Sequence, residues 1–405
     1  MSPRACRNLF ANGAGGGVLA GRGVRIYYCA LLRRPRRQGA FPRLSDTIRP
    51  MVSATIDTSA LRHNLRVARA RAPGSRVMAV VKANAYGHGL VPVARALPEA
   101  DAFAVARVDE GLALRRAGIG QPIVLLEGVF DPQQLAAAGD CGFELVVHSP
   151  EQVALLRTGA RARFKVWLKL DTGMNRLGLG AADFAAAREA LSSVAAVHGP
   201  VHAFTHLACA DQRGNETTAR QLARFAAATE SLSGERSIAN SAALLNFPEA
   251  CADWVRPGLL LYGASPIGGA VGADHGLRPV MTLHSRIIAI KQIAAGARVG
   301  YGGTWTAPRP TRLAIAAVGY GDGYPRSVAA GATVLVRGCR APLAGRVSMD
   351  MLAIDVTDIE PPPRVGEPVV LWGEGLPVEE VAARAGAIPY ELLCGISQRV
   401  DVELR

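Results

Sequence analysis

The feature that most constrains the fold of this chain is a regular alternation of short apolar runs with longer amphipathic stretches, which begins near residue 77. The apolar runs have the length and composition of strands buried on both faces, and the stretches between them carry Ala, Leu and Arg at helical spacing. Eight such runs precede residue 260, at 77–81, 102–106, 123–127, 144–148, 164–170, 201–205, 237–240 and 255–259. Eight strands, each followed by a helix, predict a TIM (β/α)8 barrel. An open, doubly wound sheet is the competing architecture.

The pattern changes beyond residue 281, where strand-like runs follow one another without long helices between them. These runs lie at 283–293, 313–318, 333–336, 351–356 and 369–372. Short helical pieces at 378–384 and 390–396 and a last strand follow. We therefore predict an α/β chain with a barrel over residues 49–284 and a C-terminal, mainly β domain over residues 285–405.

The first 49 residues differ from the rest in charge. They hold ten Arg and one Asp, so they carry most of the formal net charge of +13. A basic patch for nucleic acid on the folded part is therefore not implied. The apolar stretch from 15 to 32 is interrupted by Arg22 and Arg25, which does not favour an export signal. We expect residues 1–48 to be a disordered tail or the result of an over-extended start site, because regular patterning begins just after Met51.

The number and spacing of the cysteines indicate whether the protein belongs in a reducing compartment and whether it binds a structural metal. Seven are scattered singly, without a CxxC pair or the spacing of a zinc site. No apolar run approaches the roughly 20 residues that a membrane helix needs. We therefore expect a cytoplasmic protein with no structural metal that binds neither nucleic acid nor membrane.

The strongest local signal is the sequence VVKANAYGHG, in which Lys82 ends the first barrel strand and a Gly-flanked loop follows. Burial lowers the pKa of a lysine, which suits a base or an amine that bonds covalently to a carbonyl group. A surface lysine just past a strand end is the alternative interpretation of this stretch taken alone.

Other polar residues fall at the carboxyl ends of other predicted strands, where the active sites of barrels lie. Taken singly, they have ordinary interpretations: a core histidine, a salt-bridge partner, a helix N-cap. Their coincidence at one end of the barrel favours an active site. The residues are Arg176, His206, Asn240, Ser241, Arg256, Gly258 and Tyr262.

From about residue 49 to its C-terminus the chain resembles the alanine racemase family. The resemblance implies that Lys82 holds pyridoxal phosphate covalently, that Tyr86 lies beside the phosphate, that Arg176 contacts the ring phenolate oxygen and that His206 lies against the ring. It also implies a phosphate site that fits the preference of anions for N–H groups at a helix start. The residues of that site, together with Asn240 in the same cofactor pocket, are Ser241, Gly258, Leu259 and Tyr390.

The resemblance also places Arg256 at the pyridine nitrogen, where most enzymes of this cofactor have a carboxylate. A guanidinium cannot accept the ring proton, so the ring withdraws electrons less strongly and transamination is suppressed. Lys169 matches a lysine that is carbamylated in many relatives and supports Arg176.

The β domain carries the motifs VGYGGTW, VGYGDGYPR and GRVSMDM. By resemblance, Tyr301 is the second catalytic base and reaches in from the partner subunit of a homodimer. Arg176, Tyr320, Met349 and Asp350 then form the substrate site. Ser348 stands where many relatives have Cys, a departure beside Met349 that casts little doubt on the chemistry.

The expected function is interconversion of L- and D-alanine by two-base proton transfer from Lys82 and Tyr301, either to supply D-alanine for peptidoglycan or to degrade it. A broad-specificity amino-acid racemase and a pyridoxal-phosphate amino-acid decarboxylase of the same architecture are the alternatives. The decarboxylase is expected to have an acidic partner for the pyridine nitrogen, which the VRPG sequence around Arg256 does not provide. A non-catalytic carrier of the cofactor, a lone barrel, would lack the second domain.

Overall fold

The computed structural model of the protein describes residues 50–405. The expectation for residues 1–48 therefore lies outside the described residues. The predicted barrel is confirmed: eight parallel strands form a closed barrel in sequence order. The chain enters it through strand β1 (Ser53–Ile56) and helix α1 (Thr58–Arg71). The barrel strands are β2 (Arg76–Val80), β3 (Ala102–Val105), β4 (Ile123–Leu125), β5 (Glu144–Val147), β6 (Val166–Lys169), β7 (His202–Phe204), β8 (Arg236–Asn240) and β9 (Trp254–Arg256).

Local sequence signals explain where the surrounding helices begin. Asp131 and Ser149 each cap a helix that has Pro as its first residue, and the Asp131 carboxylate accepts a hydrogen bond from the Gln134 amide at 2.7 Å. The helices are α2 (Lys82–Tyr86), α3 (Leu90–Ala96), α4 (Val108–Arg116), α5 (Pro132–Asp140), α6 (Pro150–Gly159), α7 (Ala181–Ser192), α8 (Glu216–Thr229) and α9 (Ser241–Asn246). No helix in this part of the chain combines the length and apolar character needed to cross a membrane.

A second, mainly β region follows the barrel, as predicted. Its strands are β10 (Met281–Ile293), β11 (Arg298–Val299), β12 (Trp305–Thr306), β13 (Thr311–Ala316), β14 (Thr333–Val336), β15 (Cys339–Pro342), β16 (Leu352–Asp355), β17 (Pro368–Trp372) and β18 (Asp401–Leu404). Helices α10 (Val378–Ala385) and α11 (Pro389–Cys394) precede the last strand. Short 3-10 helices occupy Pro248–Ala250, Leu259–Tyr262, Gly272–His275, Tyr301–Gly303 and Tyr320–Asp322.

Strand β1 lies in this second sheet although it precedes the barrel in sequence. It pairs antiparallel with β10, with Ser53 opposite His284, and parallel with β18. A half-buried carboxylate adds a further connection, because Glu379 of α10 accepts hydrogen bonds from the amides of Ser265 and Gly272 at 2.7 and 2.8 Å. The loop that leaves the barrel is thus attached to the last part of the chain.

The amino ends of the barrel strands are closed by a cluster of charged and aromatic side chains. Glu235 forms ion pairs with Arg76 and Lys165 and accepts a hydrogen bond from the Trp254 indole at 3.0 Å. His202 is buried in this cluster, and its Nδ1 accepts a hydrogen bond from the Glu235 amide at 2.9 Å. Burial, followed by the charges of Lys165 and Arg76, lowers the pKa of His202 to about 4.

Acidification should therefore destabilise the protein through His202. In the unfolded chain His202 has a pKa near 6.5 and is protonated below that pH. In the folded chain it is protonated only near pH 4. This contribution to stability is full above pH 6.5 and declines as the pH falls toward 4. His202→Asn keeps an acceptor near Nδ1 but does not titrate. We expect it to lose less free energy of unfolding than the parent between pH 7 and pH 5 in urea titrations. Equal losses would contradict this role.

Candidate active site

The predicted polar residues of the barrel collect at the carboxyl ends of its strands. Lys82 follows β2, Arg176 lies in the loop after β6, His206 follows β7, and Asn240 and Arg256 end β8 and β9. Because all eight strands are parallel, these ends meet at one mouth of the barrel.

The backbone after Lys82 turns in the left-handed sense. Ala83, Asn84, Ala85 and Tyr86 all have φ of 52° to 53°, and we call these four residues the left-handed turn. A residue with a Cβ atom pays about 1–2 kcal/mol for this conformation, so surrounding contacts must hold it. One of them is Glu110 of α4, whose Oε1 accepts from the Ala83 amide at 2.7 Å and whose Oε2 accepts from the Ala106 amide at 2.8 Å.

Positive charge is concentrated around the lysines of this mouth. Burial, followed by the charge of Arg176, lowers the pKa of Lys82. Burial and the charges of Arg256 and Arg176 lower the pKa of Lys169 to about 8. A larger fraction of both amines is therefore neutral near physiological pH than for an exposed lysine, and a neutral amine is the nucleophilic form.

Arg256 is buried and satisfied by neutral acceptors. Its Nη1 donates to the Ser237 hydroxyl at 2.7 Å, and its Nη2 donates to the Thr205 and Ile238 carbonyls at 2.6 and 3.0 Å. The guanidinium carbon lies 3.9 Å from the centre of the Phe204 ring. No carboxylate among residues 50–405 forms an ion pair with it, so its charge acts on the site.

His206 lies between Arg256 and Asn240. Its Nδ1 is 3.4 Å from Arg256 Nη2, and its Nε2 is 3.5 Å from Asn240 Nδ2. Desolvation and then the charge of Arg256 lower the pKa of His206 well below the usual value. The imidazole ring is therefore neutral at physiological pH, and a neutral ring can stack against another ring without bringing a second positive charge.

A candidate anion-binding site lies between Ser241 and the turn after β9. The Ser241 hydroxyl accepts from the Gly258 amide at 2.8 Å and the Leu260 amide at 3.3 Å. These amides lie at the start of the short helix Leu259–Tyr262, where N–H groups favour an anion. A Cβ atom on Gly258 would lie 2.5 Å from the Tyr86 hydroxyl, so only glycine fits there.

Two more tyrosines surround the Tyr86 ring. Tyr262 stacks on it with the ring centres 4.8 Å apart, and Tyr390 of α11 lies 5.8 Å away. Burial raises the pKa of Tyr390 to about 12, so its hydroxyl keeps its proton and can donate to an anion.

Arg176 is exposed on a loop that is held in shape by hydrogen bonds between its own residues. The Asp171 carboxylate accepts hydrogen bonds from the amides of Gly173, Met174 and Asn175 at 2.8 to 3.2 Å. Buried Gln221 of α8 connects this loop with the next, because its Nε2 donates to the Thr172 hydroxyl and to the His206 carbonyl, both at 3.1 Å.

Apart from Tyr390, the predicted residues of the second domain make no such contacts with these groups in the described part of the chain. Tyr301 is 66% exposed, and Tyr320, Met349 and Asp350 are also exposed. Within residues 50–405, no hydrogen bond, ring contact or ion pair joins them to the predicted barrel residues. Arg399 instead binds the Asp350 carboxylate at 2.7 Å.

Three residues important to this geometry were missed in the sequence. Glu110 is the third residue of α4 and accepts from the Arg107 amide, but Arg107 at the N-cap does not match the Ser/Thr signature of a capping box, so the sequence carried no such signal. Gln221 is a polar residue on the buried face of α8, where Thr218 and Phe225 also lie. His88 lies inside the quoted VVKANAYGHG sequence but was not distinguished there.

The residues present fit a phosphate-bearing aldehyde. They supply an amine of lowered pKa, a candidate anion-binding site at Ser241 and the start of a short helix, and a buried guanidinium without a carboxylate partner among the described residues. Fold and site together define a class of barrel enzymes with a reactive lysine and a C-terminal β domain.

Comparison with known proteins identifies the family within this class. Residues 56–266 match the model of the alanine racemase N-terminal domain, and residues 280–404 match that of the C-terminal domain. The chain belongs to the alanine racemase family. It is 51% identical to the alanine racemase of Thioalkalivibrio sulfidiphilus over 359 residues, 88% of this chain and 99% of that protein.

Solved structures agree with this assignment. The biosynthetic alanine racemase of Pseudomonas aeruginosa superposes with a TM-score of 0.85 at 45% identity, covering 88% of this chain and all of that one. The alanine racemase of Bartonella henselae, solved with covalently bound pyridoxal phosphate, superposes with a TM-score of 0.79 at 29% identity over 88% of this chain and 100% of that one.

The charge of Arg176 should be measurable on Lys82. Arg176→Gln removes one cause of the lowered pKa but leaves burial, so we expect the pKa of Lys82 to rise toward 10.5 without reaching it. The measurement is the pH dependence of Lys82 labelling by a small amine-reactive reagent in cofactor-free protein, read by peptide mapping. Arg176→Lys, which keeps the charge, is the control. A midpoint unmoved by Arg176→Gln would rule out this coupling.

Proposed function

We propose that this protein interconverts L- and D-alanine with pyridoxal phosphate held by Lys82. The observation that carries the proposal is a lysine of lowered pKa at the same end of the barrel as the candidate anion-binding site at Ser241, in a chain of the alanine racemase family. When bound, the cofactor withdraws electrons from the α-carbon of the amino acid and makes its proton acidic.

The barrel residues would hold this cofactor from several sides. Ser241, the amides after Gly258, Tyr86 and Tyr390 would bind the phosphate. His206 would lie against the ring, with Asn240 beside it, and Arg176 would contact the phenolate oxygen. Arg256 would face the pyridine nitrogen, where a guanidinium cannot take up the ring proton. The weaker electron withdrawal favours return of the proton over transamination.

Racemisation needs a base on each face of the α-carbon, because the two alanine enantiomers are mirror images. Lys82 would serve one face and Tyr301 the other, each contributing about 10²- to 10⁴-fold as a general acid and base. Tyr301 is two-thirds exposed and makes no contact with the predicted barrel residues of its own chain within residues 50–405. The proposal therefore includes a homodimer in which Tyr301 of the partner subunit completes the site.

The substrate would be bound by Arg176, whose guanidinium can pair with the substrate carboxylate, and by Tyr320, Met349 and Asp350 of the second domain. The Tyr320 amide donates to the Ser348 carbonyl at 3.1 Å and the Gly321 amide to the Met349 carbonyl at 2.9 Å, so these two loops form one unit. The proposal also places the enzyme in the cytoplasm, where it would either supply D-alanine for peptidoglycan or degrade D-alanine.

Reduction with borohydride should fix the cofactor to Lys82. We expect an absorbance band near ~420 nm in the purified protein, lost on reduction, with the added mass on the Lys82 peptide, as a carbonyl joined to a lysine amine requires. Lys82→Arg keeps the charge and should abolish both the label and alanine racemisation, followed by circular dichroism. The label on another lysine, such as Lys169, would refute the assignment.

The shared site can be tested by mixing two inactive variants, Lys82→Ala and Tyr301→Phe. After subunit exchange at equal amounts, half of the dimers contain one subunit of each kind. One site of such a dimer has both lesions and the other has none. Activity should therefore recover to roughly a quarter of wild type, given the reciprocal contacts of a two-fold dimer.

Controls make this mixing experiment decisive. Exchange is confirmed with mass-tagged subunits, and each variant is also mixed with a copy of itself, which should restore nothing. If both bases came from one chain, every site would retain a lesion. No recovery after proven exchange would then exclude the shared site.

A further inference from the structure

We infer that His88 is a positioning residue: its ring N–H holds the left-handed turn that presents Lys82 and Tyr86. The importance of presenting Lys82 rests on the proposed function, but the structural role of His88 does not. Neither the chemistry proposed above nor the phosphate pocket uses this histidine.

The position of the His88 ring identifies its protonated nitrogen. The side chain is fully buried, with Nδ1 2.9 Å from the Tyr86 carbonyl oxygen and 3.1 Å from the Ala85 carbonyl oxygen. Both partners can only accept, so Nδ1 carries the hydrogen and donates to them. Nε2 is buried and has no hydrogen-bond partner within residues 50–405. The ring is thus used through one nitrogen only.

Both carbonyls that Nδ1 contacts belong to the left-handed turn. The Tyr86 carbonyl takes its hydrogen bond from the ring, whereas the Ala85 carbonyl also accepts from the His88 amide at 3.1 Å. Glu110 holds the first residue of the turn through the Ala83 amide, and His88 holds the last two. A segment of unfavourable φ persists only when its surroundings fix it, and this turn is fixed at both ends.

The fixed turn sets the two side chains that flank it. Lys82 immediately precedes the turn, and Tyr86 is its last residue, with its hydroxyl against Gly258. The backbone just beyond the turn packs closely against α11, since a Cβ atom on Gly87 would lie 2.1 Å from the Leu393 carbonyl oxygen. Loss of the His88 contact would therefore disturb Lys82 and the phosphate pocket together.

Packing alone is the competing explanation, because the His88 ring lies 4.5 Å from the Tyr262 ring. The two explanations predict opposite rankings of two variants. His88→Asn places an amide nitrogen close to the position of Nδ1 but leaves a void, whereas His88→Leu fills more of the space without any donor. A donor role makes Asn the better replacement, and a packing role makes Leu the better one.

The test compares both variants as holoenzymes by amide hydrogen exchange over residues 83–90 and by the dissociation constant of pyridoxal phosphate. For His88→Leu we expect the amides of Gly87 and Gly89 to exchange at least about tenfold faster, with cofactor binding weakened about tenfold, because the Tyr86 carbonyl loses its donor and the Ala85 carbonyl keeps only backbone donors. For His88→Asn we expect both changes to stay within about threefold.

A second substitution probes the turn itself. Ala83→Gly removes a Cβ atom from a residue with φ of 53°, a conformation that glycine adopts freely. In the His88→Leu background it should restore part of the exchange protection and of the cofactor affinity. A packing defect beside Tyr262 would not respond to it.

Every outcome of this experiment decides the inference. Equal behaviour of the two variants, a better result with Leu, or failure of His88→Asn to fold would overturn it, because the donor is then not what matters. A folded His88→Asn with an unfolded His88→Leu supports it. The exchange data need no substrate, so a wild-type protein that failed to racemise alanine would refute the proposed function without touching this result.

Discussion

Uncompensated positive charge at the barrel mouth is the constraint on which the other properties of the site depend. Arg256 is buried against carbonyls, a hydroxyl and an aromatic face, and its charge lowers the pKa of both Lys169 and His206. Arg176 acts in the same direction on Lys82. One arrangement therefore keeps two amines more reactive, keeps an imidazole neutral and favours an anionic ligand. A carboxylate in place of Arg256 would remove its contribution at Lys169 and His206 and act in the opposite direction there, while burial would still lower both pKa values.

Neighbouring units of the barrel hold one another's functional loops. Glu110, after β3, fixes the backbone that follows Lys82, and Gln221, after β7, fixes the loop that carries Arg176. Ser241 at the end of β8 orders the amides that follow β9. Because each loop depends on a side chain from the adjacent unit, closure of the barrel brings the residues together and also fixes their orientation.

Sequence patterns predicted the elements better than their contacts. The run 333–336 coincides with β14, and all eight barrel strands were placed within a few residues, since strands buried on both faces are continuous apolar runs. The pairing of β1 with β10 was not predicted, because a four-residue strand carries no mark of its partner. Lys82 and Arg256 were proposed as site residues from their motifs, and the structure places both at the same end of the barrel. Glu110 and Gln221 act through backbone groups distant in sequence, and periodicity does not show such contacts.

The two proposed halves of the active site differ in what completes them. The barrel residues are ordered by contacts within their own chain. The loops around Tyr320 and Met349 are also ordered, through backbone hydrogen bonds and through Arg399, which joins Asp322 to Asp350. Their outer side chains nonetheless remain exposed. Under the proposed homodimer, association would therefore bring together two preformed surfaces and lose little conformational entropy in ordering loops. Burial of the apolar surface around Tyr301 and Met349 would then contribute to the affinity between subunits. The same two side chains would exclude water from the α-carbon.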